Sequence, residues 1–229
     1  MKKLLVVLTL CLALAPMAAH AGSITPVMGT YYLTGSVNIT GNTRAPIKGD
    51  FYIGQIAVDW KGVSYQAYCV DLYTDFYLGD SWTPEERQMA DLPIVGADGM
   101  SNPPYAAAGT GAAAAWLVNQ HAGSISSAKD AAALQLAIWL TLYNGLPTAD
   151  FTFASDTTYI RSTATTWANL ANGQRGNDIW LDFQGGPGLT LGQDFVLPNT
   201  TPVPEPTSML LFGTGLIGLA GAARRRLRR

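Results

Sequence analysis

Each end of the chain carries an apolar run whose flanking residues mark it as a targeting segment, so the foldable sequence is what lies between them. At the start, Lys2 and Lys3 precede an apolar stretch over residues 4–15, and Ala19-His20-Ala21 supplies the small-x-small pattern that a signal peptidase accepts. This predicts a signal peptide over residues 1–21, with Gly22 first after cleavage. A lipoprotein signal does not fit, because Leu8-Thr9-Leu10 before Cys11 belong to the apolar run itself. At the other end come a spacer with Pro198, Pro202, Pro204 and Pro206, an apolar segment over 209–223, and the arginines Arg224, Arg225, Arg226, Arg228 and Arg229. As a helix that segment reaches about 22 Å at about 1.5 Å per residue, against a hydrocarbon core of about 30 Å. Snorkelling arginines narrow the gap. Arginines after an apolar run stay cytoplasmic, which leaves residues 22–206 outside. The expected layout is a signal peptide over 1–21, an exported domain over 22–197, a Pro-rich linker over 198–207, and a transmembrane helix with an Arg-rich tail over 208–229.

Setting the ends aside changes the charge. Of 14 Lys plus Arg, 2 fall in the signal and 5 in the tail, so 7 face all 16 Asp plus Glu in the exported part, which is near −9. Such a surface disfavours nucleic acid and anionic lipid as partners. About 185 residues suit one domain, or one domain with an inserted helical lobe. The exported part holds one cysteine, Cys69, and one histidine, His121, too few for a His or Cys metal cluster. No metal and no cofactor is expected.

Residues 30–40 and 51–60 are rich in β-branched and aromatic residues, and 63–72 alternates, so all three read as strands. Thr83-Pro84-Glu85-Glu86 has the form of a helix start, with Thr83 as cap and Pro84 in the first turn, and predicts a short helix to Ala90. Helices are predicted over 112–120, over 127–143 with Ser127 and Asp130 in capping-box spacing, and around 158–170. Residues 179–183 and 189–197 return to strand patterning. The expected class is α+β: β-strands at both ends of the exported domain and a central helical lobe, with an N-terminal signal helix and a C-terminal transmembrane helix beyond them.

Within the predicted long helix, Ala131, Gln135, Ile138 and Leu142 share one face, so Gln135 stands on an otherwise apolar stripe. Burying an amide without partners costs about 1–3 kcal/mol, so this glutamine needs hydrogen bonds, from the backbone of a nearby strand for instance, or a covalent fate. Cys69 poses a parallel question. An exported protein with a single cysteine cannot close an intrachain disulfide, so the thiol must be buried, paired between chains or chemically occupied. One chemistry answers both: a thiolate held against a side-chain amide in a dry site displaces ammonia and leaves an internal thioester. Strand and helix must then pack together.

Two resemblances follow from these residues. Val203-Pro204-Glu205-Pro206, the apolar 209–223 and the arginines resemble a PEP-CTERM sorting domain. That implies export to the cell envelope, surface or extracellular matrix, transient anchoring in the inner membrane, and cutting near Pro204, Glu205 and Pro206 by an exosortase-type enzyme. Tyr68-Cys69-Val70 and Leu134-Gln135-Leu136-Ala137-Ile138-Trp139 resemble the two signatures of Cys-Gln thioester domains of bacterial surface adhesins, with Leu134 where many members have threonine. This second resemblance implies a Cys69–Gln135 cross-link with Tyr68 and Trp139 packing beside it. It also implies one-shot attachment to a protein amine or polysaccharide hydroxyl, which is not enzymatic turnover. Tyr65, Tyr68 and Tyr73 are candidates for lining the site. Two other classes stay open: a passive matrix protein with an inert buried Cys69, and a hydrolase pairing Cys69 with His121, oriented by Asn119 or Asp130. Asp71 and Asp75 read as solvated charge, and Glu85 and Glu86 as serving the helix start.

Overall fold

The structure is a computed structural model that describes residues 23–39, 47–72, 77–79, 81, 83–91, 109–143, 146–183 and 193–198. The chain divides into two compact units, Met1–Pro198 and Asn199–Arg229, and every described residue belongs to the first. The predicted signal peptide, sorting motif and transmembrane helix, with Tyr73 and Asp75, lie outside the described residues. Among the described residues no helix is long and apolar enough to cross a membrane.

The mixed helix and sheet expected from the sequence is present. Strands β1 (Val27–Ile39), β2 (Ile47–Trp60), β3 (Val63–Cys69), β4 (Glu85–Gln88), β5 (Phe151–Phe153), β6 (Ile179–Asp182) and β7 (Phe195–Leu197) form one antiparallel sheet in the order β4-β6-β7-β3-β2-β1-β5. The β2–β3 turn places Lys61 and Gly62 at φ 50° and 80°. Left-handed geometry at both turn residues matches the twist of the flanking strands and sets the register that pairs Trp60 with Val63 and Ile56 with Ala67.

Helices α1 (Thr110–His121), α2 (Ala128–Leu142) and α3 (Thr157–Ala171) connect the two halves of the sheet. Ser127 caps α2, accepting from Asp130 N–H at 3.2 Å while its hydroxyl donates to Asp130 Oδ2 at 2.6 Å. This helix packs on β1 and β2 and is flanked by α1 and α3. Every residue from Ala131 to Trp139 is therefore buried, where the sequence pattern called for a single apolar stripe. Small alanines at 131, 132, 133 and 137 let its neighbours approach on all sides.

One predicted element is corrected. The helix expected after Thr83 is absent; Glu85–Gln88 forms β4 and pairs with β6, followed by a single 3-10 turn at Met89–Asp91. Local capping chemistry loses to tertiary pairing here. Arg87 Nε reaches the buried Asp182 at 3.0 Å across the ladder, and Glu86 accepts from Trp60 Nε1 at 2.6 Å and meets Lys61 Nζ at 2.7 Å. A helix over residues 84–90 would forfeit those contacts.

Opposite β2 the register of β1 shifts between Met28 and Tyr32. The N–H groups that leave the ladder are taken up by side-chain amides: Thr30 N–H donates to Gln66 Oε1 at 2.9 Å and Tyr31 N–H to Gln55 Oε1 at 3.1 Å. Gly54 lies at this bulge with φ +127°, and a Cβ there would stand 2.6 Å from Tyr31 O and 3.4 Å from Ala131 Cβ. Its missing side chain is what lets α2 lie close to the irregular part of the sheet.

Candidate functional site

Strand β3 changes partners along its length, and Cys69 sits where one ladder ends. Pairing with β2 stops at Ile56 and Ala67, while Tyr68 and Cys69 stand opposite Val196 and Phe195 of β7. Val70 N–H donates to Asp194 O at 2.9 Å, so the even residues here aim their backbone groups at β7. By the alternation of an antiparallel strand, the N–H and C=O of Cys69 point the other way, to the side that β2 no longer covers.

Gln135 of α2 fills that vacancy. Cys69 N–H donates to Gln135 Oε1 at 2.8 Å, and Gln135 Nε2 donates to Cys69 O at 2.7 Å. The side-chain amide behaves like one more peptide group of the ladder. With the residue only 1% exposed, the pairing satisfies an oxygen and a nitrogen that burial would otherwise penalise. The strand residue so paired is Cys69, the one cysteine among the described residues.

Cys69 and Trp139 also line a cleft of about 650 Å³, together with Asp71, Leu72, Gln193 and residues of β1 and β2. Trp139, one helical turn beyond Gln135, stacks on Phe151 at 6.1 Å and meets Phe51 edge-on at 5.9 Å. The chain after Cys69 is pinned by the end of α2. Leu72 N–H donates to Tyr143 Oη at 3.1 Å, and that hydroxyl lies 3.3 Å from Val70 O and 3.5 Å from Asp71 Oδ1. Gln193 donates to Asp71 O from the other side. Asp71 is half-buried in this wall, not the solvated charge that its sequence context implied.

Alternation along β3 turns Tyr68 to the face opposite Cys69, where it is fully buried and accepts from Gln55 Nε2 at 3.3 Å. Burial there pushes its phenol well above the usual tyrosine range. Tyr65 is half-buried on β3 and is not part of the cleft wall. His121 stacks on Trp167 at 4.2 Å and meets Trp116 edge-on at 6.4 Å; burial pulls its pKa below the ordinary value. It does not line the Cys69 cleft. Asp130 is engaged at the α2 cap, where Tyr159 donates to it at 2.6 Å.

Beside the cleft, Asp194 accepts from Phe183 N–H at 2.9 Å and Trp180 Nε1 at 3.1 Å. Burial, reinforced by the nearby carboxylates of Asp182 and Asp71, raises its pKa to about 7 in spite of those donors. Tyr143, Gln193 and Asp194 have no local sequence signature; only the β3–β7 pairing and the end of α2 bring them to Cys69.

These features define an α+β domain followed by a C-terminal address. Residues 202–226 match the PEP-CTERM protein-sorting motif, a span that includes Pro204, Glu205 and Pro206. The motif marks the chain for processing by an exosortase-type enzyme, with export and sorting to the cell envelope or surface. Among solved structures the chain is weakly similar to the N-terminal thioester domain of fibronectin-binding protein SfbI from Streptococcus pyogenes. That similarity has 14% identity and a TM-score of 0.40, over 75% of this chain and 94% of that one. No curated protein matches the chain.

Proposed function

We propose that the exported domain forms an internal thioester between Cys69 and Gln135 and spends it once, in covalent attachment to an amine or hydroxyl on a surface partner. The two-point pairing of the Gln135 amide with the backbone of Cys69 carries this reading. Attack of Cys69 Sγ on Gln135 Cδ places negative charge on Oε1, which has the Cys69 N–H at 2.8 Å as an oxyanion donor. Nε2 takes the thiol proton and departs as ammonia, leaving a Cys–S–C(O)–Gln bond. A partner amine or hydroxyl then attacks the same carbon, the thiol leaves, and an amide or ester joins the two molecules. Each molecule acts once, so the domain is an adhesin-like tether and not an enzyme.

The same pairing favours one other reading, in which Gln135 serves only as a surrogate peptide group and Cys69 is inert packing in a passive matrix protein. Intact mass separates the two. The thioester leaves the folded protein short by one ammonia, and Cys69→Ala or Gln135→Ala restores full mass. Wild-type protein of full mass with a titratable thiol rules the thioester out.

A further inference from the structure

An amine or hydroxyl that attacks an acyl carbon must lose a proton, and the departing thiolate must gain one. We propose that Asp71 is the general base of this transfer, an inference that rests on the thioester reading above. Among the described residues, three charged side chains line the cleft that holds Cys69: Lys48, Asp50 and Asp71. Lys48 and Asp50 are exposed on β2, whereas Asp71 is half-buried and stands two residues beyond Cys69. Asp71 follows the end of β3, and it lines the same cleft as Cys69. It is also held in place. Gln193 donates to its backbone oxygen, and the Tyr143 hydroxyl, fixed by Leu72 N–H at 3.1 Å, faces its Oδ1 at 3.5 Å. Gln135 and Tyr143 come from the same helix and its C-cap, so one element positions acyl donor and base together. His121, the one imidazole among the described residues, stacks on Trp167 and meets Trp116 edge-on away from this cleft.

As the partner oxygen bonds to Gln135 Cδ, its proton passes to the Asp71 carboxylate. The Cδ–Sγ bond breaks, and Asp71 returns the proton to the Cys69 thiolate. Hydroxyl plus thioester thus becomes ester plus thiol, with nothing else consumed.

Full-length wild type, Asp71→Asn and Asp71→Glu are compared by intact mass, with glycerol at neutral pH as the hydroxyl probe. Methylamine under alkaline conditions is the second probe, since the neutral amine attacks without prior deprotonation and gives its surplus proton to hydroxide afterwards. The expected result is an ammonia deficit in all three proteins. Glycerol transfer should be about 100-fold slower in Asp71→Asn and largely recovered in Asp71→Glu, with methylamine rates equal. A deficit in all three with equal glycerol rates, or equal slowing with both probes, overturns the role of Asp71 and leaves the thioester standing. An Asp71→Asn protein without the deficit places Asp71 in bond formation and overturns its role in transfer. Absence of the deficit from the wild type removes thioester and base together.

Discussion

Gln135 meets two backbone groups of one residue, and that pairing makes the energetic roles of Cys69 and Gln135 unequal. Replacing either one removes the proposed cross-link, but only Gln135→Ala also strands a buried N–H and a buried C=O. Gln135→Ala should therefore cost about 2 kcal/mol more than Cys69→Ser. Urea unfolding of the two variants checks this: a lower midpoint for Gln135→Ala at unchanged slope is expected, and equal midpoints contradict the clamp. Both residues were conspicuous in the sequence, the cysteine because it is single in the exported part and the glutamine because it interrupts an apolar stripe. Asp71 was not conspicuous. A short acidic side chain after a strand looks like solvated charge until Tyr143 and Gln193 are seen to hold it.

At the scale of elements, the bulge of β1 against β2 and the burial of α2 form one device. The bulge lies beside the point where the β2–β3 ladder ends before Cys69, and Gly54 lets α2 come near enough for Gln135 to take the vacated place. A side chain at Gly54 must adopt φ +127° and press on Tyr31 O, so Gly54→Ala should destabilise the domain by about 2 kcal/mol or more. It should also lower the fraction of molecules with the mass deficit, because α2 is pushed from β3. Calorimetry and intact mass on one preparation test both effects; a stable variant with an unchanged deficit would uncouple the bulge from the site. The long helix α2 was legible because its Ser127 cap and its apolar run agree. β4 was not, since its Thr-Pro-Glu-Glu start satisfies a helix locally, and only the ladder with β6 and the Arg87–Asp182 pair decide otherwise.

The whole domain should also respond to pH through Asp194. In the unfolded chain an aspartate releases its proton near its ordinary value of 3.8, while folded Asp194 keeps it to about 7. Between those values the folded state binds the extra proton. The contribution is therefore full below the lower value, is lost as pH rises through about 7, and is flat above. Unfolding free energy should fall by about 2 kcal/mol between roughly pH 5 and pH 8, relative to Asp194→Asn, in which this slope is absent. Denaturant titrations of both proteins across that range give the difference directly. A wild type that instead grows more stable relative to the variant with rising pH contradicts the burial of this carboxyl.

The sequence by itself determined the address and the chemistry on offer. Apolar and charged runs at the ends act through composition and order, which folding does not alter, and the match over residues 202–226 bears out the sorting motif. The strand and helix patterns around Cys69 and Gln135 were equally local. Only the tertiary structure decided that the amide of one lies between the N–H and C=O of the other, because that contact joins residues 66 positions apart. It exists where a ladder stops, β1 bulges against β2 and a helix of small residues closes in. No window of sequence contains those three conditions at once.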